Sequence, residues 1–118
     1  MARGKNPRSS NGNFRRKMRA RFAAQAAPCA ICRGRLGPIR YDQPSDPAHP
    51  LSFVIDEIRP VSRWREFGYP SPQAAAQDPD NLAPAHRVCN ALKAARTQRE
   101  FDTGPRPLIK AAVPDGQW

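Results

Sequence analysis

The 118-residue chain has no run of 18 apolar residues, so nothing in it reads as a membrane-spanning helix. Its opening, MARGKNPRSS, lacks the apolar stretch of a secretory signal, and the expectation is a soluble, cytoplasmic protein with no membrane partner. Cysteine is scarce: three residues, an odd number, which argues against a framework of paired disulfides. In a reducing compartment, metal ligation or catalysis is the better use for such thiols. Histidine is scarcer still, with two. Apolar residues make up only 39% of the chain, and beside 14 prolines and 7 glycines they leave little material for a core. A domain this thin wants a staple.

Acidic residues are missing from the whole first third. Arg3, Lys5, Arg8, Arg15, Arg16, Lys17, Arg19 and Arg21 all precede the first of them, Asp42. The formal charge is +10, from 20 Lys and Arg against 10 Asp and Glu. A field of that sign attracts phosphate backbones before any specific contact forms, so the expected partner is a polyanion. For any single arginine the alternative is a solvated face.

Residues 1–12 carry Gly, Asn, Ser and Pro without apolar periodicity and read as a disordered basic arm. Residues 13–101 read as one domain and residues 102–118, rich in Pro and Gly, as an extended tail. Within the domain, Phe14, Met18 and Phe22 recur at helical spacing between basic residues, predicting a basic amphipathic helix over 13–27 with Asn13 as its cap and Pro28 as its stop. A tight turn through Cys29 and Cys32, a Pro-rich loop and a short strand in LSFVID follow. SPQAAAQD predicts a short helix capped by Ser71 with Pro72 at its first position. One further helix is expected over 86–99.

Cys29-x-x-Cys32 has the gap that lets two sulfurs reach one tetrahedral ion, and His86-x-x-Cys89 has the same gap. Together they use every cysteine and one of the two histidines, which accounts for the odd cysteine count. A set of four protein ligands points to structural Zn2+. The alternative, a Cys29/Cys32 redox pair with Cys89 as a buried thiol, would want a thioredoxin-like βαβ context that is absent.

Between these halves, SFVIDEIRP runs an apolar strand into Asp56 and Glu57. Adjacent residues at a strand end point to opposite faces, so at most one of the two shares a metal site directly while the strand continues. Either could bind Mg2+, although acidic pairs at strand ends are usually solvated. Trp64 and Tyr69 read as packing residues, and His49, in its Pro-rich loop, as a surface residue or a surrogate base.

Taken in order, Cys29-x-x-Cys32, FVIDEIRP, Asn81-Leu82 and His86-x-x-Cys89-Asn90-x-x-Lys93 resemble the HNH endonuclease family, in particular its small zinc-containing phage-type members. The resemblance covers residues 29–93. It implies an α+β fold: a zinc-stapled ββα-metal (His-Me finger) domain, here behind an N-terminal basic helix. It also implies a metal-dependent DNA endonuclease that hydrolyses phosphodiester bonds, with a place beside phage DNA-packaging proteins. Carried over by position, Asp56 and Asn90 would hold a catalytic Mg2+ or Mn2+, and Asn81 would brace the connecting loop. Glu57 stands where the family has its general-base histidine. Glutamate, ordinarily titrating near 4.3 against about 6.5 for histidine, is the weaker base. The expected DNA contacts are Arg15, Arg16, Lys17 and Arg19 on the helix, and Arg59, Arg63 and Arg65 after the strand. Two other functions remain open: a zinc-stapled DNA-binding protein in which Glu57 has weakened catalysis, and an RNA-binding zinc module.

Overall fold

The computed structural model describes residues 12–42 and 48–104, so most of the expected arm and of the expected tail lie outside the described residues. The basic helix is present as α1, Gly12–Gln25. It starts one residue before Asn13, which therefore sits inside the first turn, its Oδ1 accepting from Arg16 Nη1 at 3.4 Å, and is not the cap. The stop also comes earlier than Pro28. Ala26 turns left-handed at φ 48°; its N–H donates to the Ala23 carbonyl, and the Ala27 N–H donates to that of Phe22. This is the paired closure of a Schellman motif, formed with alanine where glycine is usual. Met18 is buried, and Phe22 meets Phe53 edge-on at 6.4 Å, so α1 packs against the sheet through the predicted apolar positions.

The sheet has two antiparallel strands, β1 (Phe53–Glu57) and β2 (Leu82–His86), in a register that pairs Phe53 with His86 and Glu57 with Leu82. Residue-by-residue patterning points to no strand at 82–86. The reason is burial on both faces: all five residues are buried, so the polar alternation that betrays a strand is missing. Pro84 sits opposite Ile55 and still accepts from the Ala30 N–H at 2.9 Å, tying the cysteine turn to the strand. Between the strands, α2 (Pro72–Ala76) is capped by Ser71, whose hydroxyl accepts from the Ala74 N–H at 3.1 Å, as expected.

The expected helix over 86–99 is two helices, α3 (Arg87–Lys93) and α4 (Gln98–Thr103). Ala94 breaks it with φ 53°, and Thr97 with Glu100 forms a capping box that restarts the chain. That signature was available in the sequence as Thr-x-x-Glu. α4 also runs past the expected domain end at residue 101.

The architecture is α+β, with one main core and one satellite. Ile31, Leu36, Ile39, Leu51, Phe53, Ala85, Val88 and Phe101 gather around Cys29 and Cys89. Val61, Ala75 and Ala76 form the satellite, with Trp64 and Tyr69 packed against it as predicted. Among the described residues no helix is long and apolar enough to cross a membrane.

Candidate metal centre and adjoining cleft

Cys29 and Cys32 sit in a turn whose geometry needs unusual backbone: Arg33 and Gly34 both have positive φ, 56° and 82°. The turn aims the Cys32 N–H at Cys29 Sγ, 3.5 Å away, and the His86 N–H donates to the same sulfur at 3.4 Å. Such donors stabilise a thiolate. His86 ends β2, and Cys89 lies on the first turn of α3. The four ligand atoms of Cys29, Cys32, His86 and Cys89 all fall within 4.8 Å of one another.

A tetrahedral zinc ion with bonds of about 2.3 Å to sulfur and 2.05 Å to nitrogen would separate those atoms by roughly 3.6 Å. His86 Nδ1 lies 3.5 Å from Cys32 Sγ and 3.7 Å from Cys89 Sγ. The other ring nitrogen, Nε2, faces the Pro38 carbonyl at 3.2 Å. A proton on Nε2 is then held by that carbonyl, which leaves the Nδ1 lone pair for a metal. Electrostatics agree with a ligand set. Hydrogen bonds from Cys29 and Cys89 pull the Cys32 thiol far below its ordinary value, while those shared with Cys29 and Cys32 push Cys89 up, as one charge is spread over three sulfurs. Burial pulls His86 down, but its hydrogen bonds to Cys29 and Cys32 and the negative charge shared there outweigh it and raise the ring to about 10. The group is a Cys3His set that can hold one zinc ion, and with four protein donors it suits a structural role.

On the far end of the sheet, Asp56, Glu57 and Asn90 line one cleft of about 360 Å³ with Ile55, Pro60, Val61, Ser62, Ala94 and Ala95. Asn90 follows Cys89 directly, so the metal set and the cleft share α3. Among the described residues the Asn90 side chain carries no hydrogen bond, leaving its carbonyl oxygen open to a ligand. Both carboxylates, by contrast, have cations beside them. Lys93 Nζ, fully buried, donates to Asp56 Oδ2 at 2.9 Å and to the Glu57 carbonyl at 3.3 Å. Burial raises the Asp56 carboxyl above the ordinary aspartate range, and the Lys93 ammonium pulls it part of the way back. Arg15 reaches down from α1 to donate to Glu57 Oε2 at 2.7 Å and to the Ala76 carbonyl at 3.2 Å.

Asn81 is wholly buried. Its Oδ1 accepts from the Arg59 N–H at 2.7 Å, and its Nδ2 donates to the carbonyls of Arg59 and Ala75, each at 3.0 Å. The loop after β1 is thereby tied to α2 and to the start of β2.

The predicted DNA contacts divide. Arg16 and Lys17 are exposed on the outer face of α1, and Arg59 and Arg65 are exposed after β1, Arg59 donating to the Tyr69 hydroxyl and Arg65 stacked on Trp64 at 4.6 Å. Arg19 lies over the Phe53 ring at 4.5 Å. Arg15 is spent on Glu57. Arg63 grips Glu66 and Glu100 at 2.7–3.2 Å, and those hydrogen bonds raise its guanidinium above its ordinary value. His49 does not line the cleft; its Nδ1 accepts from the Leu51 N–H, and Arg40 lies against its Nε2. The sequence pattern assigned no role to Lys93, although its place three residues after Asn90 puts the two on one side of α3.

No protein-family model, curated protein or solved structure matches the chain.

Proposed function

We propose that the chain is an HNH-type, metal-dependent DNA endonuclease built on a zinc-stapled ββα-metal fold. The observation that carries this is the cleft: Asp56, Glu57 and an Asn90 side chain open to a ligand converge on it, while Asn81 anchors the loop that forms its wall. An antiparallel strand pair followed directly by α3 supports the fold, and the order of motifs along the chain supports the family.

A hard divalent cation prefers oxygen donors and keeps several waters. The second carboxylate oxygen of Asp56 and the amide oxygen of Asn90 fit it, and Mg2+ or Mn2+ bound there would supply charge to stabilise the leaving oxygen of a phosphodiester. Glu57 takes the proton from the attacking water. To do so its carboxylate must be freed from Arg15, which an incoming phosphate favours by offering that guanidinium a second anion. Lys93 holds Asp56 in place and keeps positive charge beside the cleft.

A plasmid-nicking assay with added Mg2+ or Mn2+ tests the proposal. Nicking by the natural chain that disappears in Asp56→Ala and Asn90→Ala, with folding retained, is the expected result. The cation partners of both carboxylates favour a second possibility, a zinc-stapled DNA-binding protein without catalysis. DNA binding with no nicking under either metal would select it.

A further inference from the structure

Arg15 and Arg19 on α1 and Arg87 at the start of α3 come from opposite ends of the sequence and meet beside β1. They are close enough to repel one another: burial first, then the charges of Arg15 and Arg87, lower the affinity of Arg19 for its proton. Arg15 has a carboxylate, Glu57, at 2.7 Å. Arg19 has none among the described residues; it lies on the Phe53 ring and makes a long, 3.5 Å hydrogen bond to the Phe53 carbonyl. Arg87 Nε donates to the hydroxyl of the fully buried Ser52 at 3.2 Å, which fixes where its guanidinium sits.

Burial of Arg19 beside two other guanidiniums costs electrostatic energy that packing on Phe53 only partly offsets. The positions are also preorganised. Stacking on an aromatic ring and bonding to a buried hydroxyl remove side-chain freedom that a surface arginine would lose on binding. The row runs along β1 from its first residue, Phe53, toward Glu57 in the cleft, a path of four residues or about 13 Å. A path of that length suits several successive phosphates of one strand better than one isolated anion.

We propose that Arg87, Arg19 and Arg15 form a phosphate track that seats one strand of a DNA duplex along β1 and delivers it to the cleft. This rests on the chain acting on nucleic acid, but it concerns binding and does not require cutting. The three residues divide the work: Arg87 and Arg19 hold the strand, and Arg15, at the cleft end, exchanges Glu57 for phosphate.

Fluorescence anisotropy with a labelled DNA duplex, the full-length zinc-loaded chain and no added catalytic metal tests the track separately from nicking. The double variant Arg19→Gln/Arg87→Gln is expected to bind at least several-fold more weakly, with the slope of log affinity against log salt reduced by about 2, one for each phosphate no longer neutralised. Arg19→Lys, which keeps the charge, is expected to retain most of that slope. Arg63→Gln, whose guanidinium is already held by two glutamates, is expected to leave it unchanged. Circular dichroism and zinc content establish that each variant is folded. The proposal is overturned if the folded double variant binds with the natural salt slope, or if Arg63→Gln lowers the slope as much as the double variant does. Absence of nicking with the binding pattern intact would sink the enzyme proposal and leave the track standing.

Discussion

The two ends of the sheet solve the problem of gathering polar groups in opposite ways. At the His86 end, four soft donors from two distant turns face one another, so the set is complete within the chain. At the Glu57 end, two hard donors are each matched to a cation, Lys93 for Asp56 and Arg15 for Glu57, while the Asn90 side chain stands open among the described residues. The first arrangement can hold a metal without help from outside the chain. The second is balanced without one, so any chemistry there depends on displacing or sharing a partner. A set that can hold a metal ion and the cleft proposed to act on phosphate thus differ, on one small scaffold, in how much of their charge is already answered.

Breaking the first end should have the largest effect. A structural zinc ion contributes on the order of 10 kcal/mol in small zinc domains, more than a core this thin can replace. Cys89→Ala, or treatment with a strong chelator, is therefore expected to abolish the cooperative thermal transition followed by circular dichroism, with zinc released in step. A chelator-treated chain that melts at the same temperature would mean the sulfurs are not a metal site.

Breaking the second end should cost less and should depend on pH. Lys93→Met strands a buried carboxylate, an error worth about 3–5 kcal/mol, whereas Lys93→Met/Asp56→Leu removes both charges and should recover most of it. The sign with pH follows from burial. Without Lys93 the folded Asp56 titrates above its unfolded value, so the stability of the single variant is fully present below the ordinary aspartate range, near 4, and is lost as pH rises through the higher folded value. The deficit against the natural chain should accordingly shrink on acidification. Urea titrations across that window check it; a deficit independent of pH, or two single variants whose costs simply add, would show that Lys93 and Asp56 are not an ion pair.

This asymmetry also explains what could be read beforehand. The zinc set was legible because ligand spacing is local: two x2 gaps say which residues converge without any knowledge of the fold. Motif order singled out Asn81, Asp56 and Asn90, whose roles stay a proposal, while α1, β1 and α2 were legible through periodicity and the Ser71–Pro72 cap. The pairings that decide the cleft were not legible. Lys93 meets Asp56 across 37 residues and Arg15 meets Glu57 across 42, so only the docking of α1 and α3 on β1 creates them. β2 was hidden because double-sided burial erases alternation, and the break at Ala94 because alanine does not advertise a left-handed turn. Arginines counted together by composition proved to be of two kinds among the described residues, those already paired with a carboxylate, Arg15, Arg33, Arg40 and Arg63, and those that are not, such as Arg19.

A sharper probe of the loop between the two ends is Asn81→Ala. It leaves the Arg59 N–H and the carbonyls of Arg59 and Ala75 without their buried partner, which should cost about 2–3 kcal/mol. Because Asn81 touches the cleft wall and none of the sulfurs, nicking should fall while zinc stoichiometry stays at one ion per chain. If zinc is released as well, the two ends are one cooperative unit and the contrast between them is of chemistry alone.

The smallest expected effect lies at Ala26, on the link between α1, which carries Arg15 to the cleft, and Cys29. Its left-handed backbone strains an L-alanine, and a glycine there would relieve about 0.5–1 kcal/mol, even after the extra freedom it gives the unfolded chain. Ala26→Gly should raise the midpoint of urea unfolding by that amount and leave zinc content and nicking as they are, since Ala26 lies outside both sites. An unchanged or lowered midpoint would mean that the turn between helix and cysteine loop is not held in the left-handed region in solution. The Ala27 N–H to Phe22 carbonyl bond that closes α1, at 3.3 Å already long, would then not be what sets the direction in which the chain enters the metal turn.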